Sequence, residues 1–236
     1  MKLSTEIVSL MLNATNLSCI LGIEGLIIDG DAIRGFNDQQ GVMVLANGPF
    51  DLEFDKIGIA RLTNLKQKFK LISESDVTVE AVPKATNPDV IEKLKFDCGR
   101  IDFEFRCALP RAITDVPSLK INKTPVFQFE ITEEDYLMMT KGASAMRSKN
   151  MTIQNSSDGV RFRFSDDTGD ILNCDVSTTL DSNGSTENLS LTVNLRKMLP
   201  IFKLAVQPGK FKLNILKNNI VHVTVGDMEV FVMPEV

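Results

Sequence analysis

Thirteen of the twenty-six lysines and arginines fall in three short segments that contain one of the thirty-one acids. Residues 55–70 carry Lys56, Arg61, Lys66, Lys68 and Lys70 beside a single acid, Asp55. Residues 141–149 carry Lys141, Arg147 and Lys149, and residues 194–212 carry Arg196, Lys197, Lys203, Lys210 and Lys212, with no acid in either. Fixed positive charge without a nearby base or nucleophile suits contact with phosphate oxygens, which needs donors and charge but no bond-making group. The whole chain carries a net charge of −5, so the pattern implies one positive surface on an otherwise acidic molecule.

The residue types that make and break bonds are sparse. His222 is the only histidine and lies in an alternating run, which argues against a Ser-His-Asp triad or a zinc site. Cys19, Cys98, Cys107 and Cys174 show no C-x-x-C spacing and sit in apolar, strand-like runs. They read as buried reduced thiols in a cytosolic protein. No phosphate-binding G-x-x-x-x-G-K-[ST] loop is present. Asp166, Asp167 and Asp170 flank Gly169, which reads as a turn between strands rather than a metal site. The expectation is a protein that is not an enzyme, with no catalytic residue, no metal and no cofactor.

The elements that must position the cations are legible in outline. The chain is 43% hydrophobic and 24% charged, an ordinary globular composition. No apolar run reaches the length of a membrane span. The first seventeen residues resemble a secretory leader, but Glu6, Asn13 and Asn16 interrupt the apolar run and no small-residue cleavage site follows. The better reading is an amphipathic helix over residues 4–16 capped by Ser4.

A repeat sets the plan. Lys68-Phe69-Lys70-Leu71 recurs as Lys210-Phe211-Lys212-Leu213, each after a basic amphipathic segment and before a polar turn and an alternating apolar run. The order helix, KFKL strand, turn, strand predicts two copies of one domain. In the first copy the pattern predicts strands near 19–28, 32–36, 42–46 and 50–54, then a helix over 56–67. Hairpins follow at 68–73 with 77–82 and at 94–98 with 100–108. Residues 110–125, with Pro110, Pro117 and Pro125, read as a connector lying on the surface. The second copy opens with a strand at 126–131 and a helix from Thr132 to about Arg147, whose Glu133, Glu134 and Asp135 favour a helix N-terminus. Strands follow at 151–155, 160–164, 171–179 and 188–193. A helix over 195–206, kinked or broken at Pro200, then leads to strands at 210–216, 220–225 and 228–233. The predicted class is α+β: similar domains at 1–109 and 126–236, each with two helices packed on antiparallel β-sheet.

This pattern resembles the DNA sliding clamps, most closely those of T-even-type bacteriophages, along essentially the whole chain. The likeness rests on Met1-Lys2-Leu3-Ser4 running straight into a helix, on the acidic start of the helix at 133–146, and on Val206-Gln207-Pro208-Gly209 leading into Lys210-Phe211-Lys212-Leu213. It implies a DNA clamp fold and a head-to-tail homotrimeric ring around double-stranded DNA. It also implies a processivity role for a replicative DNA polymerase, loading by a separate ATP-dependent clamp loader, no membrane, and the cytoplasm of an infected bacterial host. The DNA-facing set is then expected among Lys56, Arg61, Lys66, Lys68, Lys141, Arg147, Lys149, Arg196, Lys197 and Lys203. Clamps of this kind receive short partner peptides in an apolar pocket. Val116, Leu119 and Ile121 of the connector and Phe231 and Met233 near the C-terminus are the candidates here. The competing readings are a β-rich phage structural protein, or basic helices that are merely solvated faces.

Overall fold

The computed structural model describes all residues except Met1, Asp31, 49–55, Ser73, Asp115, 117–120, 157–158, Ser177, Thr179, 182–187, Pro208 and 235–236. The expected strand at 50–54 and the connector residue Leu119 therefore lie outside the described residues. The chain divides into two compact units, Met1–Leu119 and Lys120–Val236.

Unit 1 runs β1 (Lys2–Leu3), α1 (Thr5–Ile20), β2 (Gly25–Asp29), β3 (Ala32–Asn37), β4 (Val42–Asn47), β5 (Lys56–Ala60), α2 (Leu62–Ile72), β6 (Val77–Lys84), β7 (Asn87–Asp97) and β8 (Asp102–Arg106). Its strands join antiparallel in the orders β1-β6-β7-β8 and β5-β2-β3-β4. Unit 2 runs β9 (Pro125–Thr132), α3 (Glu133–Ala145), β10 (Asn150–Ser156), β11 (Gly159–Ser165), β12 (Ile171–Val176), β13 (Ser190–Asn194), α4 (Leu195–Ala205), β14 (Lys210–Leu216), β15 (Val221–Val225) and β16 (Met228–Val232). Its orders are β9-β14-β15-β16 and β13-β10-β11-β12. Element for element, each unit has the topology of the other: strand, helix, four strands, helix, three strands.

Local chemistry sets the helix starts. Ser4 Oγ accepts from the N–H of Ile7 at 3.4 Å, so α1 begins at the expected cap and runs one turn beyond the expected end. Thr132 and Asp135 form a reciprocal capping box: Thr132 Oγ1 accepts from the Asp135 N–H at 3.2 Å, and Asp135 Oδ2 accepts from the Thr132 N–H at 2.9 Å. The two helices of each unit pack on each other, and small residues are buried on α1 (Ala14, Thr15) and on α3 (Gly142, Ala143).

The first KFKL segment does not begin a strand. Lys68–Leu71 is the last turn of α2, whereas Lys210–Leu213 opens β14. In the helix Phe69 is buried and Leu71 is exposed; in the strand Phe211 and Leu213 alternate inward. One tetrapeptide thus serves two periods, and the neighbouring residues decide which. The expected helix over 56–67 also starts too early. Residues 56–60 form β5, where Ile57 and Ile59 are buried and Gly58 lets the Ala108 carbonyl approach to where a Cβ would be 2.7 Å away.

The structural repeat lies at a different spacing. Leu62, Leu65, Phe69 and Ile72 bury one face of α2, and Leu195, Met198, Phe202 and Ala205 bury the matching face of α4. Leu62 answers Leu195, a shift of 133 residues (195 − 62), and at that shift Phe69-Lys70-Leu71 matches Phe202-Lys203-Leu204. Pro200 does not break α4, which is continuous over Leu195–Ala205. The bond it forfeits is to the carbonyl of Arg196 in the first turn, and the buried face holds the helix against that loss.

Candidate nucleic-acid interface

Among the described residues, the four α-helices carry four acids, Glu6, Glu133, Glu134 and Asp135, all in first turns, where the helix dipole favours them. Beyond those turns every charged helical side chain is cationic: Lys66, Lys68 and Lys70 on α2, Lys141 on α3, and Arg196, Lys197 and Lys203 on α4. Acids concentrate instead on strands and turns. Glu80 pairs with Lys95 at 3.1 Å, Glu104 with Lys93 at 2.8 Å, and Asp175 with Arg161 at 2.7 Å. The Lys93 ammonium, hydrogen-bonded to Glu104, holds that carboxyl below the usual carboxylate range, and Arg161 does the same for Asp175.

The 133-residue shift orders the cations. Lys70 and Lys203 occupy the same position of their matched helices, and both are exposed. Lys66 precedes Lys70 by one turn and Arg196 precedes Lys203 by two, so each helix carries a cationic ridge on its solvent side. Lys70 was absent from the expected set; the false KFKL register aligned it with Lys212 and hid its match to Lys203. Lys141 is exposed in mid-helix, with Ser144 beside it one turn of helix further on. Arg147 and Lys149 are exposed just past the end of α3, and Arg147 has a left-handed backbone (φ 48°). Lys56 is exposed at the start of β5, and Lys197 is half-buried on α4.

Arg61 and Lys68 are placed differently. Arg61 Nη2 donates to the Arg106 carbonyl at 3.0 Å, and Lys68 Nζ donates to the Glu104 carbonyl at 2.9 Å. Both cations therefore engage strand β8, on the opposite flank of α2 from Lys66 and Lys70.

Of the expected partner-binding set, Val116, Ile121 and Met233 are half-buried, and Met233 lines a narrow cleft with Val221, Val232 and Pro234. Phe231 is not an exposed anchor. It is fully buried and stacks on His222, with ring centroids 4.6 Å apart, while His222 Nε2 lies 3.0 Å from Glu229 Oε2. Burial pushes the His222 imidazole below its ordinary value, and Glu229 partly offsets this. Lys123 bonds Glu229 at 2.6 Å, so this cluster fastens the last residues of the connector to the sheet. A separate cleft of about 380 Å³ in unit 1 is lined by Glu24, Asn37, Asp38, Gln39, Ala112 and Ile113.

Among the described residues no group of three or more His, Cys, Asp or Glu side chains could hold a metal, and no helix is long and apolar enough to cross a membrane. Cys107 makes a poor nucleophile, since burial pushes its thiol up to about 11. A maleimide at neutral pH should leave Cys107 unmodified in the folded chain and label it once the chain is unfolded. Fast labelling of the folded chain at Cys107 contradicts this placement.

No protein-family model matches the chain, and no curated protein does. Among solved structures, one described as the C-terminal region of FEN-1 bound to A. fulgidus PCNA aligns with 100% of this chain and 97% of that chain, with a TM-score of 0.67 and 13% sequence identity. At that identity the likeness concerns the fold alone: mixed α/β, with antiparallel sheets and, among the described residues, four α-helices.

Proposed function

We propose that this chain is the subunit of a ring-shaped sliding clamp that encircles duplex DNA and tethers a replicative polymerase. The observation that carries the reading is the charge pattern of the helices on a clamp-like fold: cations on the solvent faces of α2, α3 and α4, with acids confined to first turns. Contacts of that kind neutralise phosphates without reading bases, so the protein can move along the duplex. Lys66, Lys70, Lys141, Arg196 and Lys203 are the leading contacts, with Lys56, Arg147, Lys149 and Lys197 beside them.

Two sheet ends support assembly by a repeated head-to-tail joint. Strands β8 and β12 each end a sheet, and each is flanked by an exposed leucine or isoleucine: Leu71 (63% exposed) on α2, Leu137 (48%) on α3 and Ile171 (50%) on β12 itself. A β8 edge on one subunit pairing with a β12 edge on the next buries these groups and closes a ring of three. The clefts beside Ile113 and Met233 are the places offered to peptides of the polymerase and of the ATP-dependent loader. On this reading the protein works in the cytoplasm of an infected bacterium.

The test is molar mass in solution, with and without circular duplex DNA. The expected result is a closed trimer that remains on circular DNA and leaves it once the DNA is linearised. A monomer at every concentration, or an open-ended polymer as the sole species, favours the β-rich structural protein instead.

A further inference from the structure

Strand β8 ends its sheet, and alternation fixes which of its backbone groups face outward. The N–H of Cys98 bonds to the Ile101 carbonyl at 3.0 Å, and the N–H of Cys107 bonds to the Glu92 carbonyl at 2.8 Å. With Leu94 opposite Phe105 and Phe96 opposite Phe103, the odd-numbered residues from 101 to 107 bond toward β7. Asp102, Glu104 and Arg106 therefore turn their N–H and C=O groups away from the sheet.

Two of these three outward carbonyls are already engaged. Lys68 takes Glu104 and Arg61 takes Arg106. Each side chain reaches the strand across an aromatic ring. The Lys68 ammonium lies 4.9 Å from the centroid of Phe103, and the Arg61 guanidinium carbon lies 5.0 Å from that of Phe105. Arg61 reaches from a left-handed backbone (φ 55°), which an arginine does not adopt readily. The matched positions of unit 2 hold no such groups. Asn194 there caps α4, accepting from the Arg196 N–H at 3.0 Å, and Ile201 is fully buried.

We propose that Arg61 and Lys68 guard the β8 edge, closing it to strand pairing in the free subunit and giving way when the β12 edge of a second copy takes their place. The proposal rests on the ring reading above. A bare edge strand is a template for uncontrolled pairing, and cations seated on its carbonyls block it reversibly. The incoming strand suits the exchange. The N–H of Asp166 bonds to the Asp170 carbonyl at 3.2 Å, so even-numbered residues of β12 face β11, and Ile171, Asn173 and Asp175 face outward. Three outward residues on β12 meet three on β8. Each joint then forms in part by exchanging the hydrogen bonds already made at Glu104 and Arg106, which keeps its closure reversible.

The experiment is a dilution series by sedimentation on three full-length proteins: wild type, Arg61→Asn with Lys68→Met, and Lys68→Met alone. Asparagine tolerates the left-handed backbone and can cap α2, and methionine keeps the stem packed on Phe103. Losing two competing bonds is expected to lower the dissociation constant of self-association about tenfold in the double variant and about threefold in the single one. Growth of the double variant past the wild-type size, into longer polymers, also supports the guard. The guard is overturned if wild type associates and neither variant associates more tightly, whether or not the double variant folds. A wild type that never associates overturns the ring reading and the guard with it.

Discussion

Changing Lys70, Lys141, Arg196 and Lys203 together to glutamine is expected to lower affinity for a linear duplex about a hundredfold at low salt and to flatten its salt dependence. These four side chains are exposed on three helices that carry no acid beyond the first turn. Each phosphate contact that is lost removes the release of one counterion, so the slope of log K against log salt falls by about one per contact. The loss should be the same for every duplex sequence, because contacts of this kind carry no base information. The matched control changes Lys93 and Lys95, which pair with Glu104 and Glu80 on strands, and it should leave both affinity and slope in place. An unchanged slope in the fourfold variant, with the fold intact by circular dichroism, removes these helices from the DNA surface.

Replacing Gly142 by leucine is expected to cost unit 2 about 3 kcal/mol or more. Glycine inside a helix is about 1 kcal/mol worse than alanine, so its presence in mid-α3 needs a reason. A Cβ at Gly142 would lie 2.9 Å from Cε2 of Phe164, and Phe164 is fully buried on β11. The ring is buried and packed, so the helix comes this close to it because the side chain is missing. Gly142→Ala should gain helix propensity and lose it again to this contact, ending near wild type. Gly142→Leu forces α3 away from β11 and with it the buried Met139 and Ala143. Urea unfolding measures both variants. A leucine variant as stable as wild type shows that α3 is free to shift.

Much of this was legible because several signals are local. The Thr132 cap, the acids after it and the strand before it lie within a dozen residues, and each rule points the same way there. The antiparallel pairing of β10 with β11 is likewise set by local alternation. The stretch 56–72 was misread because its first half satisfies two periods. Ile57 and Ile59 fit a strand, while Ile59, Leu62 and Leu65 fit a helix face, and only pairing of β5 with β2 decides between them. That pairing is long-range and leaves no local mark. Phe231 misled for a similar reason. Val230, Phe231 and Val232 are consecutive and all buried, so β16 is covered on both faces, and a sequence cannot show what lies on its second face. The clustering of cations was independent of these errors, since charge depends on composition and not on register. The ties of Arg61 and Lys68 to β8 were invisible, being contacts across 45 and 36 residues.

The left-handed backbone at Arg61 and Arg147 bears on how this chain can change over generations. Glycine or asparagine suits both positions better, so a lineage under pressure for heat resistance alone drifts away from arginine there. A lineage that must keep a strand edge covered, or a cation beside its polymer track, holds arginine against that drift. These two sites therefore separate selection for durability from selection for use, and a handful of codons suffices to read which has prevailed.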